Sequence, residues 1–219
     1  MREHMLVTDD AGVRQITLAR PDRKNALTQA MYAAVIAALE QGDNDSAVRM
    51  FVITAHGTVF TSGNDLADFA AAAPRVHGAP TPAERFPVVF AHTRKPIMAA
   101  VNGAAVGVGV TMLLQCDLVD AAPTATFRTP FVDLALVPEG ASSLLMPAAP
   151  SRARCNTSLM LGETWTAQDA PEGGLLSGVI AADDLLRSVM TRARSASPEF
   201  KEAAAAFMAR RPADFSGFE

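Results

Sequence analysis

The chain has 219 residues, 49% of them hydrophobic and 19% charged, with a formal net charge of −4. That composition is globular and can bury a substantial core. It excludes nucleic acid as a main partner, because neutralising phosphates needs a basic face.

Along the chain, short apolar runs of β type alternate with longer helical patterns. Val13 to Leu18 reads as a strand and leads into the turn Pro21-Asp22-Arg23. Ala26 to Glu40 predicts a helix, with apolar residues at Ala26, Leu27, Met31, Val35 and Leu39. Phe51 to Thr54 and Ile97 to Val101 are continuous apolar runs, expected as buried strands, and Leu118 to Ala121 is a third. Between the first two, Ala83 to Arg94 is expected to be helical, entered through the Pro/Gly-rich loop Pro74 to Pro82. Strands that recur after helices argue an α/β class with parallel sheet. From about Ser151 the pattern turns helical, with periods over Ala181 to Arg194 and Ser197 to Arg211 and an N-cap at Ser197-Pro198. The division expected is a core over residues 1–180 and a helical region over 181–219. No internal repeat is evident.

Other classes fall away in turn. Cys116 and Cys155 cannot build a disulfide framework, and Cys116, in an apolar run, reads as a buried reduced thiol. The histidines His4, His56, His77 and His92 are scattered and no CxxC or HExxH spacing occurs, so no metal site is expected. The N-terminus lacks the apolar core of a signal peptide, and the C-terminus is not a peroxisomal address. Ile97 to Leu114 is the longest apolar stretch, but Asn102 and its glycines argue against a membrane span. A cytoplasmic, bacterial protein is the expectation.

Three segments carry possible chemistry. Ser62-Gly63-Asn64-Asp65-Leu66 follows a buried strand and consists of residues that accept unusual dihedrals and cap helices. Such a loop can present backbone N–H groups to a negative oxygen, but on local composition alone it reads rather as an ordinary strand-to-helix turn. Asn102-Gly103-Ala104-Ala105-Val106-Gly107-Val108-Gly109 is again strand, glycines, then apolar helix. Its glycine spacing imitates a nucleotide fingerprint, but the Tyr-x-x-x-Lys partner of short-chain dehydrogenases is missing, since Tyr32 is followed four residues later by Ile36. In the third segment, Leu134 to Gly140, Glu139 sits among apolar neighbours. Desolvation there would raise its pKa toward the range useful for proton transfer. A carboxylate in a helix's first turn is the plainer alternative.

Taken in order, these segments resemble the crotonase (enoyl-CoA hydratase/isomerase) family. Arg20-Pro21-Asp22-Arg23-Lys24-Asn25-Ala26-Leu27 is similar to its N-terminal signature, and Lys95 to Gly103 to the strand before its glycine turn. Cys116-Asp117-Leu118-Val119 and Leu161-Gly162-Glu163 fit later landmarks, so the likeness runs from Val13 to Ile180. The resemblance implies an α/β spiral of ββα units with a helical C-terminal region, assembled as a homotrimer or hexamer. It implies an acyl-CoA substrate, coenzyme A being part of that substrate, with no cofactor, nucleic acid or membrane partner. The backbone N–H groups of Asn64 and Val108 would form an oxyanion hole. Lys24, Ala26, Ser62, Gly63, Asp65, Leu66, Gly107 and Phe131 would contact the substrate.

Hydratases of the family use two glutamates, and at those two positions this chain has Thr111 and Phe131. Glu139, in Pro138-Glu139-Gly140, resembles the single catalytic glutamate of the Δ3,Δ2-enoyl-CoA isomerases, which moves a proton from C2 to C4. A dry pocket lined by Phe131, Leu134 and Leu136 would suit that reaction. One departure stands out: the segment from Ser197, similar to the family's final helix, arrives about a helical hairpin early.

Overall fold

A computed structural model describes residues 4–71, 79–148, 152–195, 202, 206 and 210–214. The chain opens with a hairpin of β1 (Met5–Asp10) and β2 (Val13–Leu18), closed over Ala11 and Gly12, both at positive φ. Sequence reading misses β1 because half its side chains are polar and face solvent. A 3-10 turn at Pro21–Arg23 leads to α1 (Gln29–Asn44). This helix starts three residues later than the apolar period predicts. Lys24 and Asn25 have φ of 51° and 52°, and Leu27 is drawn into a bridge with Asn64, so Thr28 becomes the N-cap, accepting from the Met31 N–H.

Next come β3 (Met50–Ala55), β4 (Val59–Thr61), α2 (Leu66–Ala71) and α3 (Pro82–His92). A capping box between Thr81 and Glu84 fixes the start of α3, and its end falls two residues short of Arg94. The apolar stretch from Ile97 resolves into β5 (Ile97–Val101), β6 (Ala104–Val106), the single turn α4 (Val108–Thr111) and a 3-10 turn at Leu113–Gln115. The longer apolar helix expected after the glycines is therefore absent. Then follow β7 (Leu118–Ala121), β8 (Thr126–Arg128), α5 (Ser142–Leu145), α6 (Arg152–Leu161), β9 (Trp165–Thr166), β10 (Gly178–Val179) and α7 (Ala182–Ser195). Most of the expected Pro74 to Pro82 loop and Ser197 to Arg211 helix lies outside the described residues.

Two sheets result. The larger has the order β1-β2-β3-β5-β7-β10, parallel from β2 onward, and the smaller is β4-β6-β8-β9, parallel except for β9. In three successive units the first strand joins the large sheet, the second joins the small one, and a helix follows. The repeat escapes sequence reading because each second strand is only three residues long.

The core explains the continuous apolar runs. Ile16, Leu18, Phe51 and Ile53 face α1, α3 and the small sheet, where Met31, Leu39, Phe60, Phe86 and Phe127 lie. Val13, Met50, Val52, Met98 and Ala100 face the other way, under Leu185, Val189, Met190 and Ala193 of α7. Both faces are covered, so β5 is apolar at every position and β3 at all but Thr54, whose hydroxyl donates to the Ala100 carbonyl. Arg192 of α7 pairs with the fully buried Asp120 of β7. Both cysteines are free thiols; Cys155 is buried, while Cys116 is only half-buried, less than its apolar neighbours suggest.

Candidate active site

The first wall is built by the loop after β4. Buried Asn25 anchors it: its Oδ1 accepts from the Arg20 N–H at 2.8 Å, and its Nδ2 donates to the His56 and Val59 carbonyls. The Thr61 hydroxyl donates to the Asn25 carbonyl at 2.7 Å and accepts from the Gly63 N–H. Leu27 then locks the loop from one side, donating to the Gly63 carbonyl at 2.8 Å and accepting from the Asp65 N–H at 2.9 Å. In extended backbone, alternate groups point to opposite sides. With Gly63 O and Asp65 N–H turned to Leu27, the Asn64 N–H is turned away, and it has no acceptor among the described residues.

Asp65 is engaged elsewhere: its carboxylate binds Arg20 at 2.7 Å and accepts from the Asp68 N–H at the start of α2. The Arg20 guanidinium, followed by that N–H, holds the Asp65 carboxyl below the usual carboxylate range.

The second wall is the glycine turn. β6 runs parallel to β4 and delivers Gly107 beside the first loop. Gly107 has φ 57° and ψ −118°, the dihedrals of the first central position of a type II′ turn, which favours glycine. Its N–H is fixed on the Arg128 carbonyl at 2.8 Å. Val108 is the first residue of α4, where N–H groups lack intrahelical partners, and its N–H has no acceptor among the described residues.

The third wall brings the carboxyl. After β8 the chain passes buried Phe131, whose carbonyl accepts from the Leu136 N–H at 2.8 Å, and Gly140 and Ala141 are both left-handed. The Glu139 carbonyl accepts from the Ser142 N–H and hydroxyl, and Gln115 Nε2 donates to the Gly140 carbonyl. Glu139 Oε1 accepts the Thr111 hydroxyl at 2.7 Å. Burial pushes the Glu139 pKa up, and the Thr111 hydrogen bond partly offsets it.

Tyr32, on the buried face of α1, donates from its phenol to Asn64 Oδ1 at 2.5 Å. Burial first, then the nearby Glu139 charge, keeps that phenol neutral far above its ordinary range. Sequence reading used Tyr32 only to discard a dehydrogenase. The available signal was its place in the period Met31-Tyr32-Val35-Ile36-Leu39, which turns the only tyrosine inward.

These walls line a half-open cavity of about 520 Å³. Glu139, Asn64 and Val108 line it, as do Ala26, Ser62, Gly63, Asp65, Leu66, Gly107 and Phe131. Leu134 and Leu136 add apolar surface. Of the expected contact residues, exposed Lys24 stands outside the lining, and its neighbour Arg23 takes part instead. One half-buried carboxyl, Glu139, with no ion pair among the described residues, lines the same cavity as two unpaired amides. Such a constellation can remove a proton next to a carbonyl and hold the resulting oxyanion.

Comparison with known proteins bears on the family and the fold. Residues 8–217 match the family described as enoyl-CoA hydratase/isomerase. A rat protein named enoyl-CoA delta isomerase 2 is 36% identical over 87% of this chain and 50% of its own length. The chain thus spans about half the length of the enoyl-CoA delta isomerase 2 proteins it matches. An Escherichia coli protein named 1,2-epoxyphenylacetyl-CoA isomerase is 34% identical over 89% of this chain and 76% of its own. The crystal structure of an enoyl-CoA hydratase/isomerase from Pseudoalteromonas atlantica superposes with a TM-score of 0.83, at 34% identity over 98% of this chain and 100% of the other.

Proposed function

The chain belongs to the enoyl-CoA hydratase/isomerase family, with its crotonase-type α/β fold, and we propose that it moves the double bond of a 3-enoyl-CoA to the 2-position. One observation carries this reading: of the two carboxyls that line the cavity, Asp65 is paired with Arg20 while Glu139 accepts the Thr111 hydroxyl and has no ion pair among the described residues, and the two positions that bear acids in hydratases are a threonine and a phenylalanine. A 1,3-proton shift needs one base that reaches both carbons and no bound water.

In this mechanism the Glu139 carboxylate takes a proton from C2. The C–H electron pair passes into the thioester as a dienolate, whose oxygen accepts from the Asn64 and Val108 N–H groups. Each such donor lowers the barrier by ~3 kcal/mol. Glu139 then returns the proton to C4, where the C3–C4 π pair forms the new C–H bond, while the C1–C2 π pair moves to C2–C3 and the oxygen pair restores the thioester carbonyl. Tyr32 supports the hole by anchoring the Asn64 side chain. Buried Phe131 keeps water from the dienolate on its side, while Leu134 and Leu136, both half-exposed, add apolar surface at the cavity. Arg23, at the cavity, is placed to meet a CoA phosphate. The same reading assigns homotrimeric or hexameric assembly, which would cover exposed apolar side chains such as Val137, Leu144 and Leu161.

A purely binding role, with Glu139 as a helix cap, is disfavoured by geometry. The Glu139 side chain bonds Thr111, and its link to α5 runs through its backbone carbonyl and Ser142. The test is conversion of a 3-enoyl-CoA with hydration monitored in the same assay. Isomerisation without hydration is expected, reduced by about 10²–10⁴ in Glu139→Gln. Full activity in that variant would refute the assignment.

A further inference from the structure

Thr111 ends α4, three residues after Val108, so one helical turn carries the proposed oxyanion amide at its first residue and a buried hydroxyl at its last. Residues three apart share a helix face. The hydroxyl has two acceptors within reach: the Val108 carbonyl at 3.5 Å and Glu139 Oε1 at 2.7 Å. The shorter, charge-assisted bond takes the proton. The backbone beyond Glu139 lies hard against the same side chain. A Cβ at Gly140 would fall 2.9 Å from Thr111 Cβ, and Gln115 and Ser142 fix the peptides on either side of that contact. The Glu139 carboxyl is therefore gripped at Oε1, while Oε2 has no protein partner among the described residues.

We propose that Thr111 is a positioning residue that reserves one oxygen of Glu139, Oε2, for both proton transfers. The proposal rests on the isomerase reading above. A carboxyl free to turn about its terminal bond could collect the proton on one oxygen and present the other to C4, or lose the proton to water meanwhile. With Oε1 held by Thr111, Oε2 takes the C2 proton as the C–H pair enters the dienolate, and the same oxygen delivers that proton to C4. A second carboxylate at position 111 would repel the Glu139 charge and offer a competing base. The threonine hydroxyl instead supplies a neutral donor that favours the ionised form.

The other titratable groups around Glu139 leave this role to Thr111. From α1, Tyr32 stays neutral; from the first loop, Asp65 is bound to Arg20; Arg23 stands at the cavity lining.

The experiment uses 3-enoyl-CoA carrying deuterium at C2, with wild type, Thr111→Val and Thr111→Ser. It reads kcat, KM, the pH profile and the fraction of deuterium delivered to C4. Loss of a hydrogen bond to a charged group predicts a fall in kcat of about 10- to 100-fold in Thr111→Val, with KM nearly unchanged. The acid limb of the profile should move to higher pH, and transfer of label from C2 to C4 should drop. Thr111→Ser, which keeps the hydroxyl, should restore both. An active wild type whose Thr111→Val variant keeps the same label transfer and the same acid limb would overturn the role of Thr111 alone. A wild type that does not isomerise the substrate would overturn the reading beneath it as well.

Discussion

Replacing Gly107 by alanine isolates the backbone's contribution to the site. A Cβ built at Gly107 meets nothing within 4 Å, so no steric clash obscures the result. What remains is the dihedral pair, φ 57° and ψ −118°, which an L-residue holds only at a cost of ~1–3 kcal/mol. For a chain of this size that is a fall in Tm of about 2–12 °C. The strain has one exit: the peptide after Gly107 can rotate, and that peptide carries the Val108 N–H. Rotation recovers stability but turns the donor away, and loss of one oxyanion donor costs ~10²–10³ in kcat. Stability and kcat of Gly107→Ala should therefore be linked, at least one of them falling. Thermal denaturation together with steady-state isomerisation of a 3-enoyl-CoA measures both. A variant with wild-type Tm and wild-type kcat would refute the claim that this turn is held for the amide it presents.

Phe131→Ala should cost ~3–5 kcal/mol, because the ring is buried. It should also admit water, so the 3-hydroxyacyl-CoA product, which the proposed reaction does not form in wild type, should appear on chromatography; an unchanged product ratio would remove the drying role from Phe131. Glu139→Gln should alter stability in a pH-dependent direction. Burial raises the folded pKa of Glu139 above its ordinary 4.5, so the folded state binds this proton more tightly than the unfolded state. The resulting stabilisation is fully present below the unfolded pKa and is lost as pH rises through the folded one. Glutamine does not titrate, so the variant's Tm relative to wild type should rise from acid to neutral pH, and melting curves across that range would reveal the opposite trend if burial were not the cause.

The large sheet was legible because its central strands are covered on both faces and are therefore mostly apolar, as in Ile97 to Val101. The small sheet was not, since three-residue strands such as Ala104–Val106 are too short to show alternation. The start of α1 was misplaced because Ala26 and Leu27 are apolar for another reason: Leu27 pairs with Asn64 instead of entering the helix. At the site, the loops that meet in the cavity could be assigned by resemblance. The Thr111–Glu139 and Tyr32–Asn64 bonds could not, because they join residues 28 and 32 apart whose meeting depends on tertiary packing. Arg23 replaced Lys24 at the cavity for a similar reason: a 3-10 turn followed by two left-handed residues rotates neighbouring side chains in ways that composition does not encode.

The parallel pairing of β4 with β6 also acts as a ruler. Asn64 lies three residues beyond Thr61, and Val108 three beyond its pairing partner Ala105, so strand pairing brings the two amide-bearing segments side by side. Neighbouring strands lie about 4.8 Å apart, and two N–H groups so separated, each about 2.9 Å from one shared oxygen, subtend roughly 110° at that oxygen. That is close to the angle between the two lone pairs of a carbonyl. The interval that makes a sheet would thus also let two amides serve one oxygen, and in the proposed mechanism strand pairing would help set that dimension whatever side chains stand at the two positions.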